Sequence, residues 1–473
     1  MRKTRIFLLL GIVCFVAAGV MWWKNPIQFA SKNTDNELAV VNELFSIISK
    51  QSVYDTATDA LVEGALRGMA SAIKDPYSTY YNEQEAEMHK QSLAGERVGI
   101  GVELAEKNGR FIVIAPVKKS PAEQAGVRPL DEIIQINDVR LEGKTMGDVM
   151  RLMQGKAGQK VALVLFRPNV DRHIKVTIER AEMKNETVEA HMIEREDAQF
   201  GYISISLFGE KTAEEWKKAL EKIEQEKIAG WIIDVRDNPG GYLFSVADLI
   251  STFETRERLF AYMQNNVGAM ESLLTKPAQI DALKKPVVVL QNEGSASASE
   301  VFTGALQAWE RATIIGMKSF GKGTVQKSWE LQNGGEVKLS TNKWLTPKKE
   351  WIHGKGILPD IEVKQHPLFA LEIIPLAGVF KEGDFSEEIA YTQHVLNELG
   401  YAIVRKDGFF DGPTAEAVKL FRERHDLREG DGLDEAFFVA LQEEAMNYKA
   451  QPEHDLQLEM AISFLMHQLE SVK

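Results

Sequence analysis

Cysteine is almost absent from this chain. Among 473 residues there is one, Cys14, inside an uncharged run near the start. The body beyond it can form no disulfide and cannot use a thiol nucleophile. Gly11-Ile12-Val13 precede Cys14 rather than a small residue, so lipid attachment is not expected. An excess of positive charge is also lacking. Lys and Arg number 56 against 69 Asp and Glu, for a net charge of −13 and a pI near 5.4. That balance argues against a nucleic-acid surface. Histidine is sparse, with nine in the whole chain, which limits the candidates for an imidazole base.

What remains is globular in composition, 44% hydrophobic and 26% charged, and long enough for several domains. Residues 1–30 read as a targeting segment. Arg2, Lys3 and Arg5 precede an uncharged run from Ile6 to Trp23, and Lys24 follows. The run reaches the short end of a membrane span, which needs roughly 17–25 residues. Trp22 and Trp23 suit the interface, and the basic end should stay cytoplasmic. A cleaved signal peptide competes. No small-x-small site precedes the tryptophans, so a retained single-pass anchor is expected, with the body outside the bacterial cell membrane.

The chemistry concentrates between Gly294 and Gln326. A β-branched run, Val287-Val288-Val289-Leu290, reads as a buried strand. Gly294-Ser295-Ala296-Ser297-Ala298-Ser299-Glu300 follows, and then Val301, Phe302, Ala305, Leu306 and Trp309 recur at helical spacing. Serines thus stand where a strand turns into a helix, where free N–H groups and the helix dipole favour negative charge. A second apolar strand, Thr313-Ile314-Ile315, leads to glycine-flanked Lys322. A hydroxyl at one strand end and an amine at the next meet the needs of a Ser–Lys pair. Blander readings exist. Ser297 and Glu300 fit a capping box, and Lys322 could be a solvated loop lysine. A phosphate-binding loop is excluded, because Gly323 stands where Ser or Thr must hold magnesium and Thr324–Trp329 alternates like a strand.

These residues resemble the carboxyl-terminal processing peptidases, tail-specific serine proteases of bacteria and chloroplasts. The match is the Ser-Ala-Ser-Ala-Ser-Glu box followed by Gly321-Lys322-Gly323-Thr324-Val325-Gln326. The resemblance implies Ser297 as nucleophile, Lys322 as general base and Gln326 as the residue that orients the lysine. Where some relatives carry an aspartate, this chain has Ala308. Trp231–Val235 reads as another buried strand, ending in Arg236-Asp237-Asn238-Pro239-Gly240-Gly241. That turn matches the family's Asn-Pro-Gly-Gly, which implies Gly240 or Gly241 joining the N–H of Ala298 in an oxyanion hole. Thr346-Pro347 and Gly354–Asp360 match the closing segment, although Lys349 stands where relatives often have glycine. A lysine works as a base only when neutral, which means lowering its pKa from about 10.4 towards 7–8 at a cost of roughly 3–5 kcal/mol. Phe320, Val325 and Trp329 are candidates for the apolar surroundings. His353 is the rival base. The chemistry implies no cofactor and no metal.

The expected fold class is multidomain α/β. After the anchor, residues 31–94 read as helical, with one apolar stripe at Leu38, Val41, Leu44, Phe45 and Ile48 and another at Leu61, Ala65, Leu66 and Met69. Residues 95–180 resemble a PDZ domain, with Gly99, Ile100, Gly101 and Val102 in the loop that holds a peptide's C-terminal carboxylate. Ser120-Pro121-Ala122-Glu123 through Gly126 reads as a short capped helix. Residues 181–365 form the expected protease core, of crotonase or Clp-protease type. A linker at 366–384 leads to 385–445, where Val395-Leu396, Leu399-Gly400-Tyr401 and Asp407-Gly408-Phe409-Phe410-Asp411-Gly412 resemble a peptidoglycan-binding module of three helices, and a last amphipathic helix occupies 446–473. Its stripe, Ile462, Leu465, Met466 and Leu469, and the Leu38–Ile48 stripe are both expected to lack a partner within the chain, which points to a homodimer. Two functions stand: an anchored serine endopeptidase acting on unstructured protein tails, or a catalytically inactive scaffold of PDZ and cell-wall modules. The Ser297, Lys322 and Gln326 set favours the enzyme.

Overall fold

The computed structural model describes residues 34–94, 96–107, 109–117, 120–128, 131–167, 172–184, 186–277, 284–371 and 378–472. The expected anchor at 1–30 lies outside them. No helix among the described residues is long and apolar enough to cross a membrane. The chain divides at Tyr80 into two units.

In the first unit the expected helical stretch is two helices, α1 (Thr34–Gln51) and α2 (Thr58–Ser71). Within α1, Leu38 is 51% and Leu44 57% exposed, and Val41 and Ile47 are also open to solvent.

The second unit begins with a small antiparallel sheet. Strands β1 (Val102–Lys107), β2 (Arg110–Pro116), β3 (Glu132–Ile136), β4 (Lys160–Arg167) and β5 (Arg172–Glu179) lie in that order. Helix α3 (Met146–Met153) follows a capping box at Thr145 and Asp148 and buries Val149 and Met153. Ile100, Phe111, Val113, Ile133 and Leu163 fill the core beneath it. β1 is an edge strand, so its outer hydrogen-bonding groups face no neighbouring strand of this sheet.

The larger core is a six-stranded sheet in the order β6 (Val188–Arg195), β7 (Ala198–Ile205), β8 (Gly230–Asp234), β9 (Val287–Gln291), β10 (Thr313–Gly316) and, beyond them, the short β13 (Ile361–Glu362). β6 pairs antiparallel with β7, and every later pairing is parallel. Side chains alternate between faces with period two. Trp231, Ile233, Val287 and Val289 face helices α4 (Thr212–Glu224), α5 (Leu243–Ile250) and α6 (Ala298–Ala308). Ile232, Val288 and Leu290 face the other way. Strands covered on both sides read as unbroken apolar runs, as this one does. A hairpin of β11 (Thr324–Glu330) and β12 (Glu336–Leu345) belongs to a second sheet.

Helices α7 (Glu387–Glu398), α8 (Gly412–Arg424) and α9 (Glu435–Ala450) share a core of Ile389, Leu396, Val418, Phe421, Phe437 and Leu441. The last helix, α10 (Leu456–Val472), corrects an expectation. Its apolar stripe is not left without a partner in the chain. Ile462 and Leu465 are 3% and 1% exposed, packed with Leu458 on Ile232, Val288 and Leu290 of the large sheet. The reason is topological. A parallel sheet has two apolar faces, and α4–α6 cover only one.

Candidate active site

The sheet delivers two chain segments to one end. β9 closes at Gln291, and the loop beyond it is drawn tight by Asn292, whose Oδ1 accepts the N–H groups of Gly294 (3.0 Å) and Asp237 (2.8 Å). The chain then reverses into α6 through Ser297, which holds φ +56° and ψ −112°. A non-glycine residue in that region carries strain of about 1–3 kcal/mol, tolerated where the surroundings over-determine it.

Three serines share this loop, and their fates differ. Ser295 is 1% exposed and donates to the Val235 carbonyl at 2.7 Å. Ser299 is 0% exposed and donates to the Asn238 carbonyl at 2.8 Å. Both fasten the loop to the neighbouring turn. Ser297 alone is partly open to solvent.

Glu300, one turn into α6, is wholly buried and accepts four hydrogen bonds, the full capacity of a carboxylate. Its Oε2 takes the N–H of Ser297 (2.9 Å) and the N–H of Lys322 (2.8 Å). Its Oε1 takes the Ser319 hydroxyl (2.6 Å) and the N–H of Gly321 (2.7 Å). A single oxygen thus joins the backbones of the two residues that the sequence singles out. The capping-box reading of Ser297 and Glu300 is therefore compatible with the functional one, because the same carboxylate bonds both segments. The carbonyl of Lys322 accepts the Trp344 indole N–H at 2.8 Å, a neighbour that the sequence does not announce. Lys322 also lies within electrostatic reach of His89. Burial, then Lys338 and, more weakly, Lys322 hold that imidazole below its ordinary value, while Glu336 at 3.5 Å pulls the other way.

Gln326 lies on β11, just beyond Lys322. Its amide nitrogen donates to Thr324 Oγ1 and Ser340 Oγ, each at 3.0 Å, which fixes the amide plane. His353 is stacked on Trp351 with ring centroids 5.1 Å apart, and its Nδ1 accepts the Gly323 N–H at 3.4 Å. Lys349 takes φ +63° and donates its N–H to Thr346, so a lysine occupies the left-handed turn that glycine would fill without strain.

The Asn238–Gly241 turn lies directly against the serine. A Cβ on Gly240, at φ +108°, would stand 2.8 Å from Ser297 Cβ and 2.9 Å from the Ala298 nitrogen. A Cβ on Gly241, at φ +136°, would stand 2.3 Å from the Phe208 carbonyl oxygen. Both positions require glycine. The two differ as donors. The Gly240 N–H is committed to Asn238 Oδ1 at 2.9 Å. Gly241 forms a parallel bridge with Phe208 in which Phe208 donates to Gly240 O and Tyr242 donates to Phe208 O. That pattern turns the Gly241 N–H away from Phe208, and neither it nor the Ala298 N–H meets an acceptor among the described residues.

Gly99, Ile100, Gly101 and Val102 belong to the small antiparallel domain. Ile100 is buried, and its carbonyl accepts the Ala122 N–H at 2.8 Å. The Gly101 carbonyl accepts the Val117 N–H and the Ser120 hydroxyl, both at 3.0 Å. With its carbonyls tied to the domain, the loop leaves the N–H groups of Ile100 and Gly101 without an acceptor among the described residues. β1, the free edge, begins at Val102.

Comparison with known proteins follows the same divisions. Residues 199–363 match the model of peptidase family S41, residues 112–167 that of a PDZ domain, and residues 24–85 that of the activating protease CtpB N-terminal domain. Carboxy-terminal processing protease CtpB of Bacillus subtilis is 36% identical over 436 residues, covering 92% of this chain and 90% of that protein. Carboxy-terminal processing protease CtpA of the same organism is 32% identical over 473 residues, covering 99% and 100%. Among solved structures, a photosystem II D1 C-terminal processing protease aligns with a TM-score of 0.44 at 25% identity, over 68% of this chain and 86% of that one.

Proposed function

The chain belongs to peptidase family S41, among the carboxy-terminal processing serine proteases, and we propose that it cuts protein tails with Ser297 as nucleophile and Lys322 as general base. The observation that carries this reading is the shared Glu300 oxygen, which ties both backbones at one point beside the only solvent-accessible serine of the loop. Neutral Lys322 takes the proton from Ser297 Oγ as the oxygen attacks the scissile carbonyl carbon. The resulting oxyanion is held by the N–H groups of Ala298 and Gly241. Gly241 replaces Gly240 as the donor because the Gly240 N–H is already bonded. The C–N bond then breaks, and the Lys322 ammonium returns its proton to the leaving amine. Water attacks the Ser297 ester, losing its proton to Lys322, and the Lys322 ammonium returns that proton to Ser297 Oγ as the C–O bond breaks and the acid leaves. Gln326 supports the lysine from β11.

Substrate selection rests on the PDZ domain, with the N–H groups of the Gly99–Val102 loop receiving a terminal carboxylate and the β1 edge pairing with the tail. The exposed α1 stripe supports a homodimer through the N-terminal helices. The basic and apolar pattern of residues 1–30 supports a membrane anchor with the protease outside the cell membrane. The Gly408–Gly412 pattern supports peptidoglycan as partner of the α7–α9 module. The decisive experiment compares three serine variants on a protein with an unstructured tail. Ser297→Ala folds and cuts nothing, whereas Ser295→Ala and Ser299→Ala retain activity. Full cleavage by Ser297→Ala would refute the assignment.

A further inference from the structure

The oxyanion turn is held from the far end of the chain. Arg236, the first residue after Val235 and five before Gly241, sits between two carboxylates and is largely buried, with 15% of its side chain exposed. Its Nε contacts both Asp234 oxygens at 3.0 Å, and its Nη2 contacts Asp234 Oδ2 at 2.6 Å. Its other edge forks onto Asp455, Nη1 to Oδ1 at 2.9 Å and Nη2 to Oδ2 at 2.8 Å. Gln457 Oε1 accepts from Nη1 at 3.1 Å. Asp455 is itself fixed. It receives the Leu458 N–H at 3.0 Å as the N-cap of α10, and the Gln365 amide at 2.6 Å. Asp234 is likewise bonded to the Tyr202 hydroxyl at 2.6 Å.

We propose that Asp455 is a positioning residue for catalysis, setting the oxyanion turn through Arg236. This rests on the reading of Gly241 and Ala298 as oxyanion donors. The mechanical path is short. The Arg236 N–H bonds Asp234 Oδ1 at 2.9 Å, so side chain and backbone of residue 236 are pinned to the same strand end. Two residues later Asn238 bonds forward to the Gly240 N–H, back to the Ile205 carbonyl at 2.7 Å, and through its own carbonyl to Ala296 and Ser299. A shift of Arg236 therefore reaches both the glycine turn and the loop that carries Ser297. Oxyanion donors act only where they are aimed, and displacement on the order of 1 Å costs about 100-fold in rate. The bidentate fork fixes the plane of the guanidinium as well as its place, which a single carboxylate would not.

Asp455→Asn is the informative variant. Asparagine is as good an N-cap as aspartate, so α10 keeps its start. A cavity of about 730 Å³ lined by Arg236, Asp455, Asn292, Gln365 and Gln457 adjoins the network, so water can reach the guanidinium that asparagine no longer pairs. Steady-state cleavage of a peptide and inhibition by the matching peptide aldehyde, whose adduct carries the oxyanion, are measured on the full chain. The proposal predicts kcat lower by about 10–100-fold, KM within about threefold, and aldehyde inhibition weakened in step with kcat. Arg236→Lys, which keeps the charge but loses the fork, gives the same split. Unchanged kcat in folded Asp455→Asn overturns the proposal, as does a loss wholly in KM. The underlying reading fails separately: if Ser297→Ala still cleaves, the nucleophile is wrong whatever Asp455 does, and the proposal falls with it.

Discussion

Two buried charged groups hold the two halves of the proposed catalytic centre, and they do so in opposite ways. Glu300 has no cation among its bonds. Four N–H and O–H donors surround it, all from residues 297–322. Arg236 is a cation between two carboxylates, one of which is contributed from residue 455. Glu300 is an anchor made locally, solvated by dipoles at the start of a helix, where negative charge is favoured. Arg236 is an anchor made by the docking of the C-terminal helix against the sheet. The difference teaches which parts of the site are self-contained. The Glu300 junction between the Ser297 and Lys322 backbones draws its four donors from residues 297–322 alone, whereas Arg236, at the start of the glycine turn, is paired with a carboxylate at the head of α10.

The largest effect should come from breaking the chemistry while leaving both anchors intact. The backbone N–H of Lys322 serves Glu300, so substituting the side chain removes only the proposed base. Lys322→Arg stays charged near neutral pH and should be as inactive as Lys322→Ala. Peptide hydrolysis by the arginine variant would reopen His353 as the base.

Breaking the local anchor comes next. Glutamine at 300 sets an amide NH2 where an oxygen now accepts two donors, so at least one buried N–H faces another donor. Each such unmet group costs about 1–3 kcal/mol. Glu300→Gln should therefore melt earlier and lose about 100-fold or more in kcat. A variant with wild-type melting and turnover would show that the shared oxygen is incidental.

The distant anchor has a pH signature. Burial pushes the Asp455 carboxyl up, but its bond to Arg236 and that residue's charge bring it below its ordinary value. Its contribution to stability is complete above the unfolded value of about 3.9 and is lost as pH falls through the lower folded one. Denaturant midpoints measured between about pH 2 and 5 should show an acid limb that Asp455→Asn diminishes. Superimposable profiles would contradict the pairing. The smallest effect lies away from both anchors. Lys349→Gly relieves a left-handed lysine at the expense of a freer unfolded chain and of a cation 5.4 Å over Tyr262. Stability should stay level or rise by less than about 1 kcal/mol. A larger fall would mean that the Tyr262 contact dominates.

The same contrast decides what could be read without coordinates. Ser297, Lys322 and Gln326 stand in one continuous segment whose strand, turn and helix signals are local, so their neighbourhood is legible. Glu300 was visible only as a capping residue, since a box of Ser-x-x-Glu says nothing of what else the carboxylate accepts. The choice between Gly240 and Gly241 depends on two N–H groups, one bonded to Asn238 Oδ1 and the other turned away from Phe208 by the bridge. Asp455 was illegible because its partner is 219 residues away. The stripe on α10 is ambiguous for the same reason: an apolar face shows that something covers it, and here the cover is the second face of the chain's own sheet.

The most direct test of the central claim is to catch the covalent intermediate. The full chain is mixed with a peptide ester, quenched in acid within the first turnover, digested and sequenced by mass spectrometry. The account predicts the peptide acyl group as an ester on Ser297 in wild-type protein and on no residue in Ser297→Ala. An acyl group on Ser295, Ser299 or any other side chain during productive turnover would contradict it.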